Sequence, residues 1–258
     1  MGSNRPWDRP SSIGVPIENF CASNELCLCG TWDYAQSMEL FVGALLERPP
    51  RPKYFTELRF AELAPVDPLP KPKTLARWRD GLPEGFHLAL RVPLGAWSPP
   101  DGPLRASSRL DDGLAWLLEA VDALEPSLLV LATGAAVTTG ARDRQLLRDY
   151  FERLPRRDGL TIVWRPAGLW EPGAVQVMSR SLNVVGGIDL IDDPVPDTPI
   201  VYGSLLAEGL RRSFSHAQLN DALDKLKRSA PERAYVTIDS PQSLREARLL
   251  HALFEGRE

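Results

Sequence analysis

The stretch "SLLVLATGAAVTTGARDRQLLRDYFERLPRRDGLTIVWRP", residues 127–166, decides how this chain folds. It opens on a fully apolar run, 127–133. An amphipathic segment, 143–154, follows. A second apolar run, 160–165, ends on Arg165 with Pro166 directly behind it. Apolar runs too short for a helix read as strands covered on both faces, and the amphipathic piece between them reads as a helix. Strand, helix and strand in that order form a βαβ unit of a parallel sheet. Pro166 closes the second strand because it cannot donate to the sheet.

The same alternation runs outward in both directions. Upstream, "ELCLCG" (25–30) reads as a strand stopped by Gly30. "AQSMELFVGALLER" (35–48) places Met38, Phe41, Val42, Leu45 and Leu46 at helical spacing, and "RPPRP" (48–52) ends that helix. "YFTELRF" (54–60) reads as a strand and 72–80 as a short helix before Gly81. A strand at 86–92 closes at Pro93, and a helix covers 109–124. Downstream come helical turns at 173–181 and strands at 183–191 and 199–205. A helix at 215–229 has Ser215 as N-cap, and a strand spans 233–239. The last helix, 241–255, takes Ser240 as N-cap and Pro241 as its first residue.

That makes eight strands, with helices in every interval except 190–198. Eight β/α units in 258 residues predict an α/β fold, a single-domain (β/α)8 barrel of the TIM type. The rival, a doubly wound open sheet, shows a Gly-rich loop after its first strand, and "CGTWDY" holds one glycine. The expected organisation is a flexible Pro-rich tail over 1–24 and a barrel over 25–256.

Composition narrows the function. Hydrophobic residues are 43% and charged residues 25%, ordinary for a globular domain. The net charge is -4 and the isoelectric point about 5.6. Basic runs such as 141–158 are interleaved with acids, which describes a solvated helix face and speaks against nucleic acid as a partner. No run of about 18 apolar residues is present, so no membrane span is expected. The first residues lack the apolar core of a secretory signal, which makes the cytoplasm the expected compartment. Cys21, Cys27 and Cys29 are odd in number and lack C-x-x-C spacing, so they read as small buried hydrophobes rather than ligands or disulfides. Three histidines are too few for a multi-metal barrel site. No metal and no cofactor is expected.

A barrel works at the C-terminal ends of its strands. Those ends nominate Trp32, then Glu57 and Arg59 on one face of the second strand, Arg91, Arg165 and Asp192. His87, Ala89 and Arg91 share a face of the third strand. A carboxylate and several guanidiniums around one axis can hold an anion in a fork, or neutralise one another as a structural ion pair.

The order of several motifs resembles the YecE-like family, domain of unknown function 72. "YFTELRF" is similar to its "F-N-T-V-E-I-N" strand, with Glu57 at the Glu. Thr74, Trp78, Pro83, Phe86 and Pro93 match "T-x-x-x-W" and "P-x-x-F-x-F-x-x-K-x-P", with Arg91 at the Lys. "TIVWRPAGLW" is similar to "V-E-F-R-H-x-S-W", "IDDP" to "A-D-S-P", and "IVYGSLLAEG" to "F-V-Y-V-R-L-H-G". The match spans roughly 25–255 and implies a TIM-type barrel of no established activity. Gly30, Thr31 and Trp32 stand for the family's opening "G-T-S-G-W". Ser204 and Leu206 replace the Arg and His of "R-L-H-G", while Glu57, Arg165 and Asp192 keep its polar residues.

The expectation is therefore a YecE-like barrel, non-catalytic or weakly catalytic, whose reduced polar mouth binds a small anionic ligand or a partner. One alternative is a hydrolase or phosphodiesterase with Glu57 as base and Arg165 and Arg91 as anion clamp. A second is a nucleic-acid-binding barrel.

Overall fold

The structure is a computed structural model that describes residues 38–209 and 212–257. These belong to one compact unit, Gln36–Glu258. The strand expected at 25–30, the three cysteines, Trp32 and the expected tail lie outside the described residues.

Strand β1 is Glu39–Leu46, β2 Phe60–Leu63, β3 His87–Arg91, β4 Leu128–Thr133 and β5 Thr161–Pro166. β6 (Val185–Gly186) and β7 (Ile188–Asp189) are followed by β8 (Ile200–Leu206) and β9 (Arg233–Asp239). All pairings are parallel, in the order β6-β5-β4-β3-β2-β1-β9-β8-β7. The two edge strands, β6 and β7, are neighbours in sequence, separated by Gly187 alone. One kinked strand therefore serves both edges, and the sheet curls into a nearly closed TIM-type barrel of eight strand positions. Gly187 suits the kink because a Cβ there would sit 3.0 Å from the Arg165 Cβ and 3.2 Å from the Tyr202 ring.

Helices α1 (Pro72–Asp80), α2 (Ser108–Leu124), α3 (Ala141–Arg153), α4 (Pro172–Leu182), α5 (His216–Ser229) and α6 (Ser243–Phe254) wrap the outside. Their bounds fall within two residues of those expected. Ser215 caps α5 by accepting from the Gln218 N–H, and Gln218 returns the bond to the Ser215 N–H. The start of α6 differs: Gln242 is its N-cap, while Ser240 donates to Glu246 and accepts from the Gln242 N–H. As expected, no helix joins β7 to β8.

Side chains alternate across each strand. Leu88, Leu90, Leu129, Leu131, Ile162 and Trp164 point outward under the helices. Phe60, Ala89, Leu128, Val130, Val163 and Tyr202 fill the barrel interior. Two expectations fail at the front of the chain. Residues 35–48 do not form a helix: 39–46 is the strand β1. It buries Leu40, Val42 and Ala44 on one face and packs Phe41 into the interior on the other. Apolar residues on both faces erase the period-two signal, and the remaining spacing imitates a helix.

Of the strand expected at 54–60 only Phe60 is in one, as the first residue of β2. Tyr54 closes a short 3-10 helix, Pro52–Tyr54, and Leu58 is buried just before β2 in the apolar layer shared with α5 and α6. The Tyr54 hydroxyl accepts from the Ala44 N–H at 3.0 Å and donates to the Phe60 carbonyl at 2.6 Å. It thus ties β1 to β2. Tyr54→Phe leaves both backbone groups buried without that partner, which costs about 1–3 kcal/mol for an unsatisfied group. A urea midpoint shift of that size in the variant is the expected result, and an unchanged midpoint would show that the bridge contributes nothing.

Candidate functional site

The C-terminal half of the barrel interior holds a buried polar network. Glu62, on β2, is fully buried. Its Oε1 accepts from Arg91 Nε at 2.6 Å. Its Oε2 accepts from Thr237 Oγ1 at 2.7 Å and from the Tyr202 hydroxyl. Tyr202 and Thr237 also lie 3.3 Å apart. Three donors on one carboxylate leave little acceptor capacity free.

Arg91, at the end of β3, carries this network toward the mouth. Its Nη1 is 3.9 Å from Asp239 Oδ2 at the end of β9, and the Asp239 side chain is 45% exposed. Its Nη2 is buried without a hydrogen-bond partner. Arg165, near the end of β5, packs beside Gly187 and Tyr202. Its Nε is also buried without a partner, and the guanidinium forms no ion pair among the described residues. Both guanidiniums are near enough to act electrostatically on the Tyr202 phenol.

Protonation follows from these contacts. Burial alone would push the Glu62 carboxyl up. The Arg91 charge and the hydrogen bonds from Tyr202, Thr237 and Arg91 outweigh it and hold the group below the usual carboxylate range. Burial pushes the Tyr202 phenol up, and the Glu62 charge adds to the rise. Burial works against the Arg91 charge, but Glu62 outweighs it and keeps the guanidinium protonated. At neutral pH, Glu62 is thus ionised and saturated, Tyr202 protonated, Arg91 charged. Glu62 is placed to orient Arg91, and its own acceptor sites are largely taken up in doing so. Arg165 brings a second guanidinium to the same end of the barrel, a group suited to pairing with an anion.

The expected site residues divide. Arg91 and Arg165 are together at the mouth, as their strand ends predict. Asp192 is exposed in the loop after β7. Glu57 and Arg59 are not at the mouth: both are exposed in the turn that precedes β2, at the N-terminal end of the barrel. Glu57 Oε2 is 2.7 Å from Arg248 Nε, close enough for an ion pair but out of line for a hydrogen bond. Glu57 therefore cannot act as a base on a ligand that Arg165 holds. Glu62, Tyr202 and Thr237 were absent from the sequence candidates. A near-repeat hides the first of them: "FTEL" (55–58) and "FAEL" (60–63) offer the same Phe-x-Glu-Leu signal five residues apart, and the second copy is the barrel strand.

His87 also points inward, at the N-terminal end of β3. Its Nδ1 is 2.9 Å from the Tyr235 hydroxyl, and its ring packs against Phe41 with centroids 4.0 Å apart. Burial and the nearby Arg233 lower its pKa. It belongs to the N-terminal end of the barrel rather than the mouth. Among the described residues no group of three or more His, Cys, Asp or Glu could hold a metal ion, and no helix is long and apolar enough to cross a membrane.

A nearly closed parallel barrel with a polar mouth defines a TIM-type protein, and similar solved structures are of that kind. A DUF72 family protein from Thermotoga maritima superimposes with a TM-score of 0.58 at 10% identity, covering 84% of this chain and 99% of that one. A DUF72 family protein from Enterococcus faecalis gives 0.56 at 14%, covering 86% and 99%. SacUVDE gives 0.57 at 9%, covering 85% and 98%. The resemblance to domain of unknown function 72 that the motifs carry is met again in three dimensions, as a shared fold. No protein-family profile and no curated protein matches the sequence.

Proposed function

We propose that this protein is a ligand-binding barrel that holds a small anion, a phosphate or a carboxylate, at the C-terminal end through Arg91 and Arg165. The carrying observation is a pair of buried guanidinium nitrogens, Arg91 Nη2 and Arg165 Nε, with no hydrogen-bond partner among the described residues. Buried donors almost always have a partner, so these two orphans at one end of the barrel are open to a group from beyond the described residues. A guanidinium pairs in a fork with the planar or tetrahedral oxygens of carboxylate and phosphate. Glu62 serves by fixing the angle of Arg91. With that carboxylate saturated, the binding role is favoured over hydrolysis.

Titration calorimetry with inorganic phosphate tests this. Hydrogen bonds to charged groups contribute about 1.5–3 kcal/mol, so Arg165→Ala should weaken binding roughly ten- to hundredfold. Arg248→Ala, at the opposite end, should leave it unchanged. No heat with phosphate, acetate or succinate on the folded protein would remove the proposal.

A further inference from the structure

The loops that leave β3 and β5 carry the two most exposed large apolar side chains among the described residues. Leu94 follows Arg91 by three residues and is 66% exposed. Leu169 follows Arg165 by four and is 88% exposed. Val66, four residues past Glu62, is 55% exposed. At that spacing no Leu Cα is more than about 14 Å from the Cα of its own arginine.

These loops are not loose. A Cβ on Gly134, in the loop after β4, would be 3.7 Å from the Trp97 ring in the loop after β3. One on Gly168, in the loop after β5, would be 2.9 Å from the Ala135 Cβ. The Trp170 Nε1 donates to the Val137 carbonyl at 2.8 Å, and the Trp170 ring stands edge-on to Trp164 at 4.8 Å. The three loops thus form one packed rim, with both tryptophans buried in it. The apolar residues it could have covered with this packing it leaves in water. Exposed apolar residues scattered singly are ordinary. Here two of them crown the strand ends that also hold the orphaned guanidinium nitrogens.

We infer that the ligand is an amphiphilic anion: a phosphate or carboxylate head on Arg91 and Arg165, with an alkyl or acyl tail lying on Leu94 and Leu169. This rests on the anion site proposed above and adds the chemical class of the ligand. Charge complementarity fixes the head end in the barrel, and the exposed Leu94 and Leu169 offer the tail apolar surface on the loops that leave β3 and β5.

Calorimetry with inorganic phosphate, methyl phosphate and hexyl phosphate reads both parts. A fully buried methylene is worth about fourfold in affinity. A tail on an exposed rim buries part of that area, so hexyl phosphate should bind at least tenfold tighter than methyl phosphate. In a Leu94→Ser/Leu169→Ser variant that gain should fall below threefold while methyl phosphate binds as before. Arg165→Ala should weaken all three ligands. Equal affinity for methyl and hexyl phosphate would overturn the tail while the anion site stands. A gain that persists in the double variant would place the tail elsewhere and overturn it too. If neither the phosphates nor acetate and hexanoate bind, the anion site falls and the tail with it. If hexyl phosphate gains nothing but phosphatidic acid vesicles bind and the double variant abolishes this, the rim meets a membrane and the small-ligand inference fails.

Discussion

Gly43→Ala is expected to cost the barrel about 3 kcal/mol or more, the upper end of what overpacking does. A Cβ at position 43 would lie 2.2 Å from the Phe60 carbonyl oxygen and 2.7 Å from its carbon. Both are backbone atoms, so no rotamer change relieves the clash. The Phe60 carbonyl is also the acceptor of the Tyr54 hydroxyl. Pushing it away breaks that bridge and tilts β2, and β2 carries Glu62. The pairing of β1 with β2 rests on a short register, Leu45 with Glu62 and Leu46 with Leu63, which gives little to resist the tilt. For a chain of this size each kcal/mol moves the melting temperature by roughly 2–4 °C. A loss near 10 °C, or failure to fold, is the expected outcome by circular dichroism. Gly173→Ala is the matched control: it lies in the first turn of α4 with no atom within 4 Å of the added Cβ. That variant should melt within a few degrees of the parent. A Gly43→Ala protein that melts alongside the control would refute the close approach of the two strands.

The same position explains how much of the fold the sequence revealed. From β3 onward the strands are bounded by residues with one meaning. Pro93 ends β3, Pro166 ends β5 and Ser215 opens α5. Each is a local rule about a missing donor or a satisfied one, and local rules survive folding. At the front of the chain the evidence is not local. In "ELFVGALL" both faces are buried, so a strand and a helix show similar spacing. Gly43 was the available hint, since an interior glycine costs a helix about 1 kcal/mol. Tyr54, Phe55 and Leu58 read as a strand because they are aromatic and apolar. They are apolar because they pack into the layer between the sheet and helices α5 and α6.

The site divides along the same line. Arg91 and Arg165 could be found because a guanidinium at the end of an apolar run is conspicuous. Glu62 could not, because what makes it important is elsewhere. Its partners Arg91, Tyr202 and Thr237 are 29, 140 and 175 residues away. Only curling of the sheet brings three other strands, β3, β8 and β9, to one carboxylate on β2. Asp239 joins them for the same reason, from the strand that pairs with β1 on its other side.

Glu62→Gln should therefore be the most costly conservative change in the molecule. Removing one partner of a buried ion pair typically costs about 3–5 kcal/mol, because the other charge is left uncompensated. Arg91 would be that charge, since Asp239 at 3.9 Å and partly in solvent is a weak substitute. Two measurements separate this electrostatic origin from lost packing. The first is pH dependence. The carboxyl of folded Glu62 is held below its ordinary value of 4.5, so the unfolded chain binds a proton more readily than the folded one. Its contribution to stability is complete above about pH 5 and is lost as pH falls through the lowered folded value. The gap between parent and Glu62→Gln in urea should thus be full at pH 7 and shrink below pH 4.5. A gap of the same size at pH 3.5 would mean that shape, not charge, is what the glutamate supplies. The second is the pair variant Glu62→Gln/Arg91→Met. With both charges gone nothing is stranded, and replacing a buried pair by apolar groups is often close to neutral. The double variant should recover much of the stability that the single change loses, yet it should bind phosphate poorly because Arg91 is missing. Recovery of stability without recovery of binding is what a network built to aim a guanidinium at a ligand, rather than to hold the barrel together, must produce.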